Sequence, residues 1–267
     1  SRELFDRPLA ELFEKIRSNS QKYMISDFFH GVFYQPLYNV IIFFYDVAWQ
    51  DFGIAIILTT LLLKVVLIPL TNKQIASQKQ LQEVQPKIKA LQQKYKDDKE
   101  RQTKEIMNFY KENKVNPFGG CLPLIIQMFF FFAIYQIIFN TSNSGFSVHA
   151  ADLYTFVSNP GSIDHFFLNF LDLTAPSIVL AVLTAIAQYV QLKMMMKNQP
   201  KPEEKPVSEG PDIATIMNKQ MIIMMPAMIL IFGVNLASAL TLYWLVSTLF
   251  MIGQQEYILR VQEAGTK

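Results

Sequence analysis

Apolar positions are gathered into five long runs, Phe52 to Leu70, Phe118 to Phe139, Leu173 to Leu192, Met221 to Leu236 and Ala237 to Gly253. Each is close to the ~17 to 25 residues that a helix needs to cross a bilayer. None alternates with the period of a barrel strand, so each satisfies its backbone as a helix. The last two abut and read as a helical hairpin. Between the first two runs the pattern changes: Leu81, Val84, Ile88, Leu91 and Tyr95 recur at intervals of three and four, a coiled-coil seam. The charged stretch KDDKER, Lys96 to Arg101, suits a turn, after which Ile106, Met107 and Tyr110 form a second apolar stripe. Pro86 is expected to bend the first arm. Near the start, Leu4, Leu9, Leu12, Phe13 and Ile16 lie at helical spacing beside charged residues, as in an amphipathic surface helix. The aromatic run Val32 to Ala48, which carries Gln35, Pro36, Asn39 and Asp46, suits a helix in the outer interface.

The reading is therefore all-α and polytopic. It comprises an N-terminal segment 1–30, an interfacial helix 31–51, a first span 52–71, a coiled-coil hairpin 72–117 and a second span 118–140. An outer loop 141–172, a third span 173–192, a mobile loop 193–220, two further spans within 221–255 and a tail 256–267 complete it. The mobile loop includes NQPKPEEKPVSEGPD, with four prolines and no apolar period.

Composition agrees with a membrane: 51% of residues are hydrophobic and 17% charged, against ~25% charged in soluble domains. Eleven Lys and Arg lie between Thr71 and Pro117, five between Lys193 and Gln220, and none between Asn140 and Asp172. The positive-inside rule places the first two loops and the C-terminus in the cytoplasm and the third loop outside. The five basic residues of the first thirty then lie outside, against the rule. The chain opens on SRELFDRP without an initiator methionine, as expected of a mature or trimmed form. The single cysteine, Cys121, permits no intrachain disulfide, and the three histidines have no metal-ligand spacing. No cofactor, metal or nucleotide is expected, since no phosphate-cradling loop of the GxxxxGK[ST] kind is present.

One position stands out chemically. Lys64 interrupts TTLLLKVVLIPLT, and no span carries a carboxylate to pair with it. A cation at the centre of a span costs ~2.5 to 3.5 kcal/mol on insertion scales. Lysine can snorkel to the interface, but seven residues separate Lys64 from Thr71, ~10 Å of helix. Thr60 lies one turn before it. Gln127 and Gln136 in the second span, Thr184, Gln188 and Gln191 in the third, and Thr241, Ser247, Thr248 and Gln254 in the fifth add polar groups. Singly these are interhelical glue; together with an unpaired cation they suggest a hydrated cavity.

The stretch KVNPFGGCLPLIIQM, residues 114 to 128, resembles the YidC family of membrane protein insertases. The likeness runs through YQPLYN, GIAII, PLTNKQ, LQEVQPKIKALQQKY, MMPAMI, LYWLVS and the closing QQ, in the same order. It implies a five-helix core around a positively charged groove, open to the cytoplasm and laterally to lipid. Such a groove captures hydrophobic nascent chains and releases them into the bilayer without hydrolytic chemistry. Lys64, where the family usually has arginine, Thr60 and Trp244 match groove positions of the family; Gln127, Gln188, Tyr243 and Ser247 complete the expected groove lining. Phe129, the segment Ala237 to Ala239, and Thr248 depart from the family pattern. Expected partners are nascent membrane proteins and the lipid bilayer, with the ribosome and a Sec translocon as candidate partners. The implied location is the inner (plasma) membrane, with Phe129 to Phe132, Tyr243 and Trp244 sealing the groove outward. The residues alone also admit an ion channel or transporter.

Overall fold

The computed structural model describes residues 26–116, 122–197 and 213–265. The amphipathic stretch before Ser26, the Gly119–Gly120 turn and the proline-rich loop 198–212 lie outside these residues. The body is helical. Residues 26–29 begin a helix that widens into a π turn at His30–Tyr34 and continues as α1, Gln35–Val47. Pro36 explains the widening: it has no N–H for the carbonyl one turn back, and the Gln35 N–H reaches instead to His30.

A tight turn through Trp49 and Gln50, both at positive φ, leads to Asp51. The Asp51 carboxylate accepts from the Ile54 N–H at 2.9 Å and caps α2, Phe52–Val66. The chain then bends by 60° at Leu67 into α3, Ile68–Lys94. Pro69 lacks the N–H that would continue the ladder to Val65, so the first apolar run is two helices and not one rod to Thr71. Pro86 lies within α3, which is assigned continuously across it.

A turn at 95–98 joins α3 to α4, Lys99–Glu112, with Asp98 as N-cap to Arg101 at 2.9 Å. The seam residue Ile88 is buried, and the Arg101 and Lys94 cations lie over the Tyr95 ring at 5.1 Å and 5.2 Å. In α4 the inward stripe is Ile106, Phe109 and Tyr110; Met107 is exposed, because it lies a third of a turn away.

Helices α5, Leu122–Asn143, α6, Ile178–Lys197, α7, Ile213–Gly233, and α8, Ser238–Gly265, complete the body. By length and composition Ile125–Asn143 and Ile178–Met195 can each cross a membrane, the bent pair Phe52–Val66 and Ile68–Ser77 can serve as a third span, and Ile222–Gly233 is a shorter apolar helix. Helix α8 turns buried Ser238, Thr241, Ser247 and Thr248 inward, which lowers its mean hydropathy.

The helices form a sequence of neighbours: α7 packs on α6, α6 on α8, α8 on α2 and α2 on α1. Gly233 permits a close approach of α7 to α6, since a Cβ there would lie 2.8 Å from that of Ala181. Helix α5 is held more lightly, along the start of α1, the side of α8 and part of α3. The core joins Tyr38, Ile41 and Ile42 of α1, Ala55 and Ile56 of α2, Ile134 and Ile137 of α5, and Leu240 of α8.

Between α5 and α6 the chain builds a cap over one end of the bundle. It holds a short 3-10 turn, Ala150–Asp152, an isolated antiparallel bridge between Ser147 and Ser162, and a short antiparallel pair, β1, Phe166–Phe167, and β2, Leu171–Asp172, which depart from an all-α body. The Phe167 ring occupies the space a Cβ on Gly53 would take, at 2.2 Å.

Candidate functional site

Three helices meet at Lys64. On α2 its side chain is 8% exposed, and its ammonium donates to the Gln127 Oε1 of α5 at 2.9 Å. The Gln127 amide group in turn donates to the Tyr243 hydroxyl of α8. The direction of this chain is dictated by lysine, which has three donors and no acceptor: it claims the amide oxygen and leaves the amide nitrogen for the tyrosine. The Tyr243 O–H is then free to donate. Ser247 stands one turn along α8, its buried hydroxyl beside that of Tyr243. No carboxylate is paired with Lys64 among the described residues.

Lys64 lies three residues before the bend at Leu67 and twelve after Phe52, so ~18 Å of helix lies on one side of it and only ~5 Å on the other before the bend. Its ammonium nevertheless turns into the protein instead of lifting away. Thr60, one turn back, is fully buried and donates to the Ile56 carbonyl at 2.6 Å, so its hydroxyl is occupied on its own helix.

The remaining expected residues divide. Trp244 meets Phe131 edge to face at 5.9 Å, beside the Lys64 chain. Gln188 does not join that chain. It donates to Gln191 at 2.8 Å, Gln191 reaches the Met251 sulfur at 3.6 Å, and Thr184 bonds the Leu180 carbonyl at 2.7 Å, making a separate polar seam between α6 and α8. Helix α8 therefore has two polar faces: Tyr243 and Ser247 toward α2 and α5, Thr241 and Met251 toward α6. Of the aromatic residues expected to seal the site, Phe129 stacks on Phe33 at 5.0 Å, Phe130 meets Phe33 edge to face at 5.8 Å, and Phe132 is exposed.

Two features carry no isolated signal in the sequence. One is a further inter-helix bond, from Gln254 of α8 to Asn72 of α3 at 2.8 Å, just past the bend. The other is the cap. Tyr38 and Tyr45 accept from the His149 and Asp164 N–H groups at 2.9 Å and 2.7 Å, and the Asn39 amide bonds Asp152 and Tyr154 at 2.8 Å and 2.6 Å. Burial pushes the Tyr38 hydroxyl up to about 12, so it stays neutral. At the α7–α8 junction Ser238 and Ala239 donate their N–H groups to Ala175 and Leu173 at 3.0 Å and 2.9 Å. A periodic face was available in hindsight, since Tyr34, Tyr38 and Tyr45 are four and seven residues apart.

An all-helical body with apolar spans and a buried, unpaired cation bridged across three helices defines a polytopic membrane protein with an intramembrane polar site. The chain belongs to the 60Kd inner membrane protein family, whose sequence pattern matches residues 43–265. It is 32% identical over 246 residues to a membrane protein insertase YidC of Pelobacter propionicus, covering 91% of this chain and 41% of that one. It is 36% identical over 225 residues to a membrane protein insertase YidC of Syntrophus aciditrophicus, covering 84% and 35%. Against a membrane protein insertase YidC 2 of Bacillus anthracis it is 35% identical over 231 residues, covering 85% of this chain and 79% of the relative. The chain thus spans about two fifths of the length of several curated relatives and four fifths of another.

Proposed function

We propose that this chain is the core of a membrane protein insertase and chaperone, acting without covalent catalysis, in which Lys64 is the fixed charge that captures hydrophobic nascent chains. The observation that carries this reading is a nearly buried ammonium whose one hydrogen-bond partner is a neutral amide. A carboxylate at the short extracytoplasmic end of a substrate is the partner such a cation lacks. An ionised acceptor makes a bond roughly twice as strong as a neutral one, so it displaces Gln127 from Lys64. Release of Gln127 also frees Tyr243, which loosens α5 from α8. That opens a lateral path from a hydrated groove, lined by Thr60, Gln127, Tyr243, Trp244 and Ser247, into lipid. Gln188 lies on the neighbouring seam and serves the groove only once the helices separate.

In this reading α2, α5, α6, α7 and α8 are five spans, α3 and α4 form a cytoplasmic coiled-coil hairpin, and the cap faces outward. The C-terminus is cytoplasmic and the membrane is the inner (plasma) membrane. The absence of Lys and Arg from the loop between Asn140 and Asp172 supports this orientation. The hairpin is the surface offered to the ribosome or a Sec translocon. The driving force is partition of the apolar segment into lipid, aided by a membrane potential worth ~2.3 kcal/mol per charge per 100 mV.

Reconstitution tests this directly. Liposomes holding the purified chain are expected to insert a small single-span substrate with an acidic outer end, scored by protection from added protease. Protection no greater than in protein-free liposomes contradicts the proposal.

A further inference from the structure

The cap carries an apolar rim that neither the Lys64 site nor the packing of the bundle uses. Trp49 is 88% exposed and Phe170 is 73% exposed, with Leu168 at 53% beside it in the hairpin turn. Both turns hold an apolar residue in the left-handed region, Trp49 at φ 53° and Leu168 at φ 50°, where glycine or asparagine is easier. The two tips are neighbours: the Leu168 N–H donates to the Asp51 carboxylate at 2.6 Å, and Phe167 lies against Gly53. They stand at the N-cap of α2, the level at which that apolar helix begins.

The cap's acids each take a partner within the protein. Asp46 accepts from Ser158 at 2.5 Å, Asp51 from Ile54 and Leu168, Asp164 from Phe166 at 3.0 Å, and Asp172 from Thr174 at 2.8 Å, while Asp152 meets His30 at 3.2 Å. A surface that presents aromatic tips, lacks Lys and Arg, and turns its carboxylates to partners within the protein suits the boundary between headgroups and acyl chains, where amphipathic aromatic rings anchor membrane proteins. Where the chain leaves the cap, the first turn of α6 also exposes apolar residues, Ile178 and Val179.

We propose that Trp49, Leu168 and Phe170 form a lipid anchor that seats the cap in the headgroup boundary of the leaflet facing it. The anchor holds the cap against the end of the bundle from the lipid side while the tyrosines of α1 hold it from within. The three anchor side chains are themselves uncharged, so they hold the cap by apolar burial and contribute no electrostatic attraction to anionic lipid.

The protein contains two tryptophans, Trp49 and Trp244, so Trp244→Phe leaves Trp49 as the sole reporter. In phosphatidylcholine vesicles, its fluorescence is expected to be blue-shifted from that of water-exposed tryptophan. Lipid brominated near the headgroup should quench it more than lipid brominated near the chain end, and aqueous iodide should quench it little. Adding Leu168→Ser and Phe170→Ser should weaken the shallow quenching at unchanged thermal stability in detergent. Quenching by iodide and not by brominated lipid overturns the anchor. Quenching by neither shows a rim covered by protein and overturns it equally. Shallow quenching that ignores the two serine substitutions contradicts a joint anchor. None of these readouts depends on insertion activity, so the proposed function stands or falls separately.

Discussion

A lysine in an apolar helix has three physical outcomes: pairing, snorkelling, or hydration. At Lys64 the side chain takes a fourth course, donating to a neutral amide that hands the polarity on to Tyr243. A neutral amide satisfies one of its three protons without cancelling its charge, so the site keeps its attraction for an anion. Lys64→Arg is therefore expected to retain insertion, whereas Lys64→Ala should slow it roughly tenfold or more for substrates with acidic ends, the scale of one lost charge-assisted bond. Initial rates of protease protection at matched protein levels measure this, and an unchanged rate for Lys64→Ala removes the electrostatic role. Gln127→Glu gives a sharper contrast. A built-in carboxylate should raise thermal stability in detergent while slowing insertion, because the substrate then competes with a permanent partner; faster insertion would contradict capture at Lys64. That Lys64 has no acid on a neighbouring span to pair with was legible from sequence. The partition of the other polar residues was not: helical periodicity gives the face a residue occupies but not the helix it meets, so Gln188 and Gln127 looked equivalent until α6 and α5 were placed.

At the scale of elements, apolar runs announced the helices, and KDDKER marked the turn that ends α3 and starts α4. The bend at Leu67 was harder to read, since Pro69 can start a helix as well as break one, and only the neighbouring packing decides. The cap was the least legible element, because its fold depends on backbone N–H groups reaching side chains more than a hundred residues away. Helices α3 and α4 pack chiefly on each other beyond the Asn72–Gln254 bond. Deleting Gln78 to Lys111 behind a short linker is thus expected to leave the membrane core assembled and to slow substrate capture. Retained thermal unfolding in detergent with a lower insertion rate is the expected result; loss of the folded core would make the hairpin a structural support instead.

For the whole molecule, the two ends of the bundle differ. One end is covered by the cap, bonded to α1 and to the α7–α8 junction. The other has the bend of α2 only three residues from Lys64. The asymmetry argues for a groove entered from one side, whereas conduction through a channel requires water to reach the charge from both. It also gives the cap a place the sequence did not suggest, since residues of the segment between α5 and α6 cover that end of the bundle. The most direct measurement is one-sided accessibility. With Cys121→Ser as background, Lys64→Cys should react with a membrane-impermeant thiol reagent, which needs a solvated thiolate, when the reagent is added on the cytoplasmic side, and remain unlabelled when it is added outside. Labelling from the outer side, or sustained ion current through the purified protein in a planar bilayer, would contradict a closed insertase groove.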